Sequence, residues 1–149
     1  MILRHVPNRA WAIFFARVVL GLIFGMAGWG KVFRMGVTAH AHRYFVDAFA
    51  SSWIPSWLLW GLGLSIPLVE LVAGWLVFFG ALRRPALIAL GLVLGIVTYG
   101  HLLQDFLYEF HTHVIPRLAL LVFVLSMPED DDVLSLDCVL ARLWERRTR

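Results

Sequence analysis

The chain has a single cysteine, Cys138. One thiol excludes an intramolecular disulfide, a CxxC redox pair and a cysteine-cluster metal site, so any redox role must use something other than protein thiols. Charge is also scarce: 15% of the 149 residues are Asp, Glu, Lys or Arg, where a soluble domain has about a quarter. There is no GxSxG and no glycine-rich phosphate loop, which leaves nucleophilic hydrolysis and nucleotide chemistry without a signal. The formal charge of +3 and the pI of 9.6 come from arginines at helix ends and in the tail. No soluble segment carries a basic patch interleaved with aromatics, which argues against a nucleic-acid partner.

What the chain has in excess is apolar sequence, 60% of all residues with a mean hydropathy of +0.78. It lies in long runs, and the seven Trp and eleven Phe suit membrane interfaces and lipid-facing surfaces. A membrane span needs about 20 mostly apolar residues. Four stretches qualify as spans: Ala10 to Gly30, Trp57 to Ala81, Ala86 to Leu107, and a shorter one from Thr112 to Met127. The expected fold is therefore an all-α integral membrane protein, a single domain over residues 1–149 built as an antiparallel bundle of four transmembrane helices. The basic residues Arg4 and Arg9 before the first run mimic a signal peptide. The run is too long for one, has no clear small-x-small cleavage site and contains Arg17, so it reads as a retained helix.

With four spans, both termini and the Arg83-Arg84 turn share a side. That side holds Arg4, Arg9, Arg83, Arg84, Arg142, Arg146, Arg147 and Arg149, against Lys31, Arg34 and Arg43 on the other. The bias predicts a multi-pass membrane protein with both termini cytoplasmic. Gly21 and Gly25, and likewise Gly91 and Gly95 followed by Gly100, have the small-residue spacing that lets helix backbones approach.

Two segments outside the spans are amphipathic. Between the first two spans, Thr38 is positioned to cap a short helix with Phe45, Ala48 and Phe49 on one face, a lid on the outer surface. After the acidic turn Glu129 to Asp132, the tail 135–147 places Leu136, Val139, Leu140, Leu143 and Trp144 on one helical face. Its Arg142, Arg146 and Arg147 can reach anionic headgroups, and Asp137 suits the positive end of the helix dipole.

Charges inside an apolar span normally have partners. Counting about 1.5 Å per residue, Arg17 lies roughly 10 Å and Glu70 roughly 15 Å from the cytoplasmic side, which predicts an Arg17–Glu70 ion pair holding the first two helices together. Nearer the outside, Tyr99, His101, Gln104, Asp105 and Arg117 form a second polar cluster. It reads either as a pocket for a quinone headgroup or as a network that fixes helix register. His40, His42, His111 and His113 all fall on the outer side and are the only metal candidates. Their i, i+2 spacing does not place two ligands on one helix face, and axial haem ligation would need more span histidines than His101 alone.

The first span with Arg17, its glycines and Lys31, the second with Glu70, Gly74, Gly80 and an Arg-Pro entry to the third, and the LSLD at Leu134 to Asp137 together resemble the DoxX family of small four-helix bacterial membrane proteins. The resemblance covers most of the chain, and it implies Arg17, Lys31 and Glu70 as family-pattern residues. It further implies a non-catalytic inner-membrane subunit of a redox or quinone-linked complex, with a membrane, periplasmic or cytoplasmic redox protein as partner. The rival expectation is a scaffold that anchors a partner enzyme without bound cofactor. A solute transporter is disfavoured, because four short spans leave little room for a path.

Overall fold

The computed structural model describes residues 6–105 and 109–147, with the side chains of residues 146 and 147 excepted. Arg4, Arg149, the expected end of the third span at Leu107 and the snorkelling side chains of Arg146 and Arg147 lie outside the described set.

The first helix, α1 (Asn8–Trp29), starts after the extended Pro7. It runs without a break into a π-helical stretch, Gly30–Gly36. Gly36, at φ 87°, then turns the chain into α2 (Val37–Ala41), a conformation that costs glycine little. The expected Thr38 cap is not made: Thr38 lies inside α2, which has no side-chain cap bond, because Gly36 supplies the turn instead. A π-helical turn, His42–Val46, follows. Pro55 restarts the chain into α3 (Ser56–Phe79).

A tight turn joins α3 to α4 (Arg83–Gln104). Gly80, at φ 69°, ends α3 with its N–H on Val77 O (3.1 Å) and the Ala81 N–H on Leu76 O (2.9 Å), a Schellman arrangement that satisfies two orphan carbonyls. The short α5 (Phe110–His113) leads through the helical Val114 into α6 (Ile115–Ser126). A 3₁₀ turn, Glu129–Asp131, precedes α7 (Leu136–Arg147). All described secondary structure is helical.

Among the described residues, three helices are long and apolar enough to cross a membrane: α1 with its continuation to Val46, α3 and α4. The expected fourth span is shorter than Thr112 to Met127. At twelve residues α6 reaches roughly 18 Å, against about 30 Å of hydrocarbon.

Helices α1 and α3 pack antiparallel through small residues. A Cβ on Gly21 would lie 2.5 Å from the Phe78 nitrogen, one on Gly28 would strike the Leu71 backbone, and one on Gly74 the Gly25 backbone. Each step along α1 is thus matched by an equal step back along α3. Gly91 and Gly95, despite their spacing, make no such approach: Gly91 meets only the Leu121 side chain at 3.7 Å, and Gly95 meets nothing within 4 Å. The packed core, with Leu20, Phe24, Val77, Leu90 and Leu121, fills the half of the bundle nearest the α3–α4 turn. In the other half the walls stay apart.

Candidate functional site

The predicted Arg17–Glu70 pair is not formed. The glycine register puts Arg17 level with Leu82, beyond the end of α3, while Glu70 is level with Trp29. Depths counted from each helix's own cytoplasmic end miss this stagger, because α1 extends past α3 by more than two turns. Arg17 is 1% exposed and its Nε lies 3.2 Å from Asp132 Oδ2. Its guanidinium also donates to Phe78 O, a carbonyl that the end of α3 leaves without an intrahelical donor, and to Val77 O (3.0 Å) and Leu134 O (3.2 Å). Arg83 approaches the same carboxylate at 3.5 Å and donates to Met127 O at 2.7 Å. Arg9 pairs with Asp131 at 3.0 Å. The acidic turn is therefore an internal counter-charge for the arginine end of the bundle. Its sequence signal was four acids beside the side to which eight arginines had been assigned.

Glu70 pairs instead with Lys31, the only lysine in the chain, at 2.5 Å from Nζ to Oε2. Lys31 sits in the π-helical stretch, a geometry that recurs at functional sites. Glu70 is 7% exposed and Lys31 29%, so the carboxylate backs the lysine, and the ammonium keeps donors to spare on its open side.

His40 reaches the same region from α2. It is buried, and its Nδ1 lies 3.1 Å from the Gly63 carbonyl oxygen. That carbonyl is orphaned by Pro67, four residues on within α3, which has no N–H to offer it. A carbonyl only accepts, so Nδ1 carries the proton and the neutral ring's Nε2 is left as an acceptor. Ala41 seats α2 on α3 at Gly63, where a Cβ would come within 2.7 Å of it. Tyr44 and Phe45 flank the imidazole at 5.3 and 5.7 Å between centroids.

Lys31 and His40 line one cavity of about 710 Å³, within the range of small-molecule sites. Its roof is the segment after Gly36, with Phe45, Phe49 and Trp53; its walls are Leu62 and Ile66 of α3 and Gly95 of α4. The face expected from Phe45, Ala48 and Phe49 is the one turned to the cavity. Gly95 and Gly100, in place of packing helices together, keep the α4 wall low.

Of the second predicted cluster, Tyr99, His101 and Gln104 line this cavity, and Asp105 and Arg117 do not. Gln104 Nε2 donates to Ala48 O at 3.3 Å, tying α4 to the roof. Asp105 caps the C-terminus of α4. Arg117 faces α1, its guanidinium 5.9 Å from the centre of the Phe24 ring. The four candidate metal-binding histidines stand apart: His42 is exposed and paired with Asp47 at 2.8 Å, and His111 and His113 are exposed on α5. Among the described residues no three His, Cys, Asp or Glu side chains come together.

Residues 9–108 match the family model of methylamine utilisation protein MauE. The chain belongs to the MauE family. No curated protein and no solved structure matches it. The expected DoxX membership is therefore overturned. The features behind it, an arginine within a span, small residues at helix contacts and a basic turn between spans, arise in membrane bundles of different families and do not single out one. This MauE-family chain is a multi-pass membrane protein, and the matched segment includes Lys31, His40, Glu70 and the cavity-lining end of α4. Asp132 and α7 lie beyond it.

Proposed function

We propose that this chain is a non-catalytic accessory subunit of a methylamine-oxidising redox system in the bacterial inner membrane, and that it holds a quinone in the cavity beneath the α2 roof. The family gives the redox context; the cavity carries the ligand. An apolar chamber with an ammonium, two imidazoles and two phenols in its walls suits a molecule with an apolar tail and an oxygen-bearing ring.

In the bilayer, α6 together with α5 and the helical Val114 forms a fourth, thinner span, which returns the chain to the side of its start. The counter-charged arginine end, with Arg9, Arg17, Arg83 and Arg84, faces the cytoplasm, and the roof and α5 face outward. A redox enzyme of the methylamine dehydrogenase system docks on the complex from one of these faces.

Purification in mild detergent, followed by solvent extraction and chromatography of the lipid fraction, tests the reading. About one quinone per chain supports it. A co-purifying methylamine dehydrogenase component with no quinone above membrane background would replace it with the scaffold reading.

A further inference from the structure

The polar wall of the cavity has a donor and an acceptor whose directions are each fixed by a buried partner. Lys31 Nζ is held by Glu70 at 2.5 Å, so its remaining N–H groups are available on the side where the residue lines the cavity. His40 is the opposite case. Pro67 leaves Gly63 O without its helical donor, and the 3.1 Å contact from Nδ1 consumes the proton of the neutral imidazole. The other nitrogen, Nε2, is left with a lone pair in a ring that lines the cavity. Gly63 and Glu70, which hold His40 and Lys31, lie seven residues apart in α3, two turns on one face of the helix, so the donor and the acceptor enter the chamber from the same side.

We infer that this end is a quinol-selective headgroup site, in which Lys31 donates to one ring oxygen and His40 Nε2 accepts the hydroxyl proton of the reduced form. A quinone offers only acceptor oxygens: it can use Lys31 but leaves the His40 lone pair unmet. The quinol offers a hydroxyl oxygen to Lys31 and an O–H to His40, and so satisfies both. A site with a buried acceptor discriminates against the analogue that lacks the matching donor, because its own polar group is then left unpaired. Glu70 and Pro67 are positioning residues here: one aims the ammonium, and the other fixes which imidazole nitrogen carries the proton. The inference rests on the quinone reading above and narrows it to an oxidation state and to two residues.

The test uses the full chain in lipid nanodiscs, with equilibrium binding of three probes under anaerobic conditions: decylubiquinone, decylubiquinol and the dimethyl ether of decylubiquinol. The wild type is expected to bind the quinol about tenfold tighter than the quinone, and the ether, which has no O–H, no tighter than the quinone. Lys31→Met made together with Glu70→Gln, so that no lone carboxylate remains, is expected to weaken quinol and quinone alike by about tenfold. His40→Phe strands the Gly63 carbonyl, so it is combined with Pro67→Ala, which returns a backbone donor to that oxygen. This double variant is expected to bind quinol and quinone equally. If the wild type binds all three probes alike, the headgroup inference is overturned while the quinone reading stands. Binding of none of the three overturns both.

Discussion

His40 and Gly63 are joined by a hydrogen bond, 3.1 Å from Nδ1 to the carbonyl oxygen, that exists because a third residue withholds its own. Pro67 cannot donate to the carbonyl four residues back, and a buried carbonyl without a partner costs about 1–3 kcal/mol. The imidazole fills that vacancy, and in doing so docks the roof on α3.

Replacing His40 by Ala should therefore destabilise the protein by about 1–3 kcal/mol, and adding Pro67→Ala should recover a good part of the loss. Thermal unfolding in detergent reads both changes. Equal stability of His40→Ala with and without Pro67→Ala would show that the orphaned carbonyl is not what the histidine serves.

Charge exchange separates the observed pairing from the expected one. Lys31→Glu with Glu70→Lys should recover folded protein that either single change loses, since both groups meet at 2.5 Å. Arg17→Glu with Glu70→Arg should not, because Arg17 bonds Asp132 and the end of α3. Expression with monodisperse elution from a sizing column measures each; rescue by the second exchange would contradict the structure.

Asp132→Ala removes the carboxylate shared by Arg17 and Arg83, each 5% exposed or less. Breaking one side of a buried pair typically costs about 3–5 kcal/mol, and the thermal midpoint should fall by more than for Asp130→Ala, whose side chain is exposed. A midpoint equal to that of the Asp130 variant would remove Asp132 from the lock.

Gly74→Ala should be costly, by about 1–3 kcal/mol of overpacking, because the new Cβ would strike the Gly25 backbone. Gly95→Ala should be near neutral for stability, since nothing lies within 4 Å of its Cβ position. Equal midpoints for the two would mean that α1 and α3 do not meet at Gly74.

Topology is read with the native thiol. Cys138 is half-buried near the start of α7 and should react with a membrane-impermeant maleimide only from the cytoplasmic side, in inverted vesicles. A cysteine at His111, in a Cys138→Ser background, should react in intact spheroplasts. Labelling of Cys138 from outside would reverse the orientation.

Hydropathy and periodicity made much of this architecture readable from sequence. Long apolar runs locate α1, α3 and α4 to within a few residues, and helical i, i+3, i+4 spacing along the roof picks out Phe45, Ala48 and Phe49. The tail stripe of Leu136, Val139, Leu140, Leu143 and Trp144 is exposed on α7 as a stripe. Pairing was harder to read, because it depends on the stagger between helices. A count from the cytoplasmic end of each span sets Arg17 beside Glu70, whereas the glycine contacts displace them by about three turns. Pro67 and the acidic turn were visible signals of an orphaned carbonyl and of a counter-charge; locating their partners, His40, Arg17 and Arg83, required the tertiary register.

The shared carboxylate of Asp132 has a consequence for biosynthesis. Arg17 and Arg83 enter the membrane early, on segments made long before residue 132 leaves the ribosome. Until it does, the nascent bundle carries two arginines whose shared carboxylate has not been synthesised. Closure of that end therefore waits for residue 132: a product interrupted ahead of Asp132 retains two positive charges without the carboxylate they share.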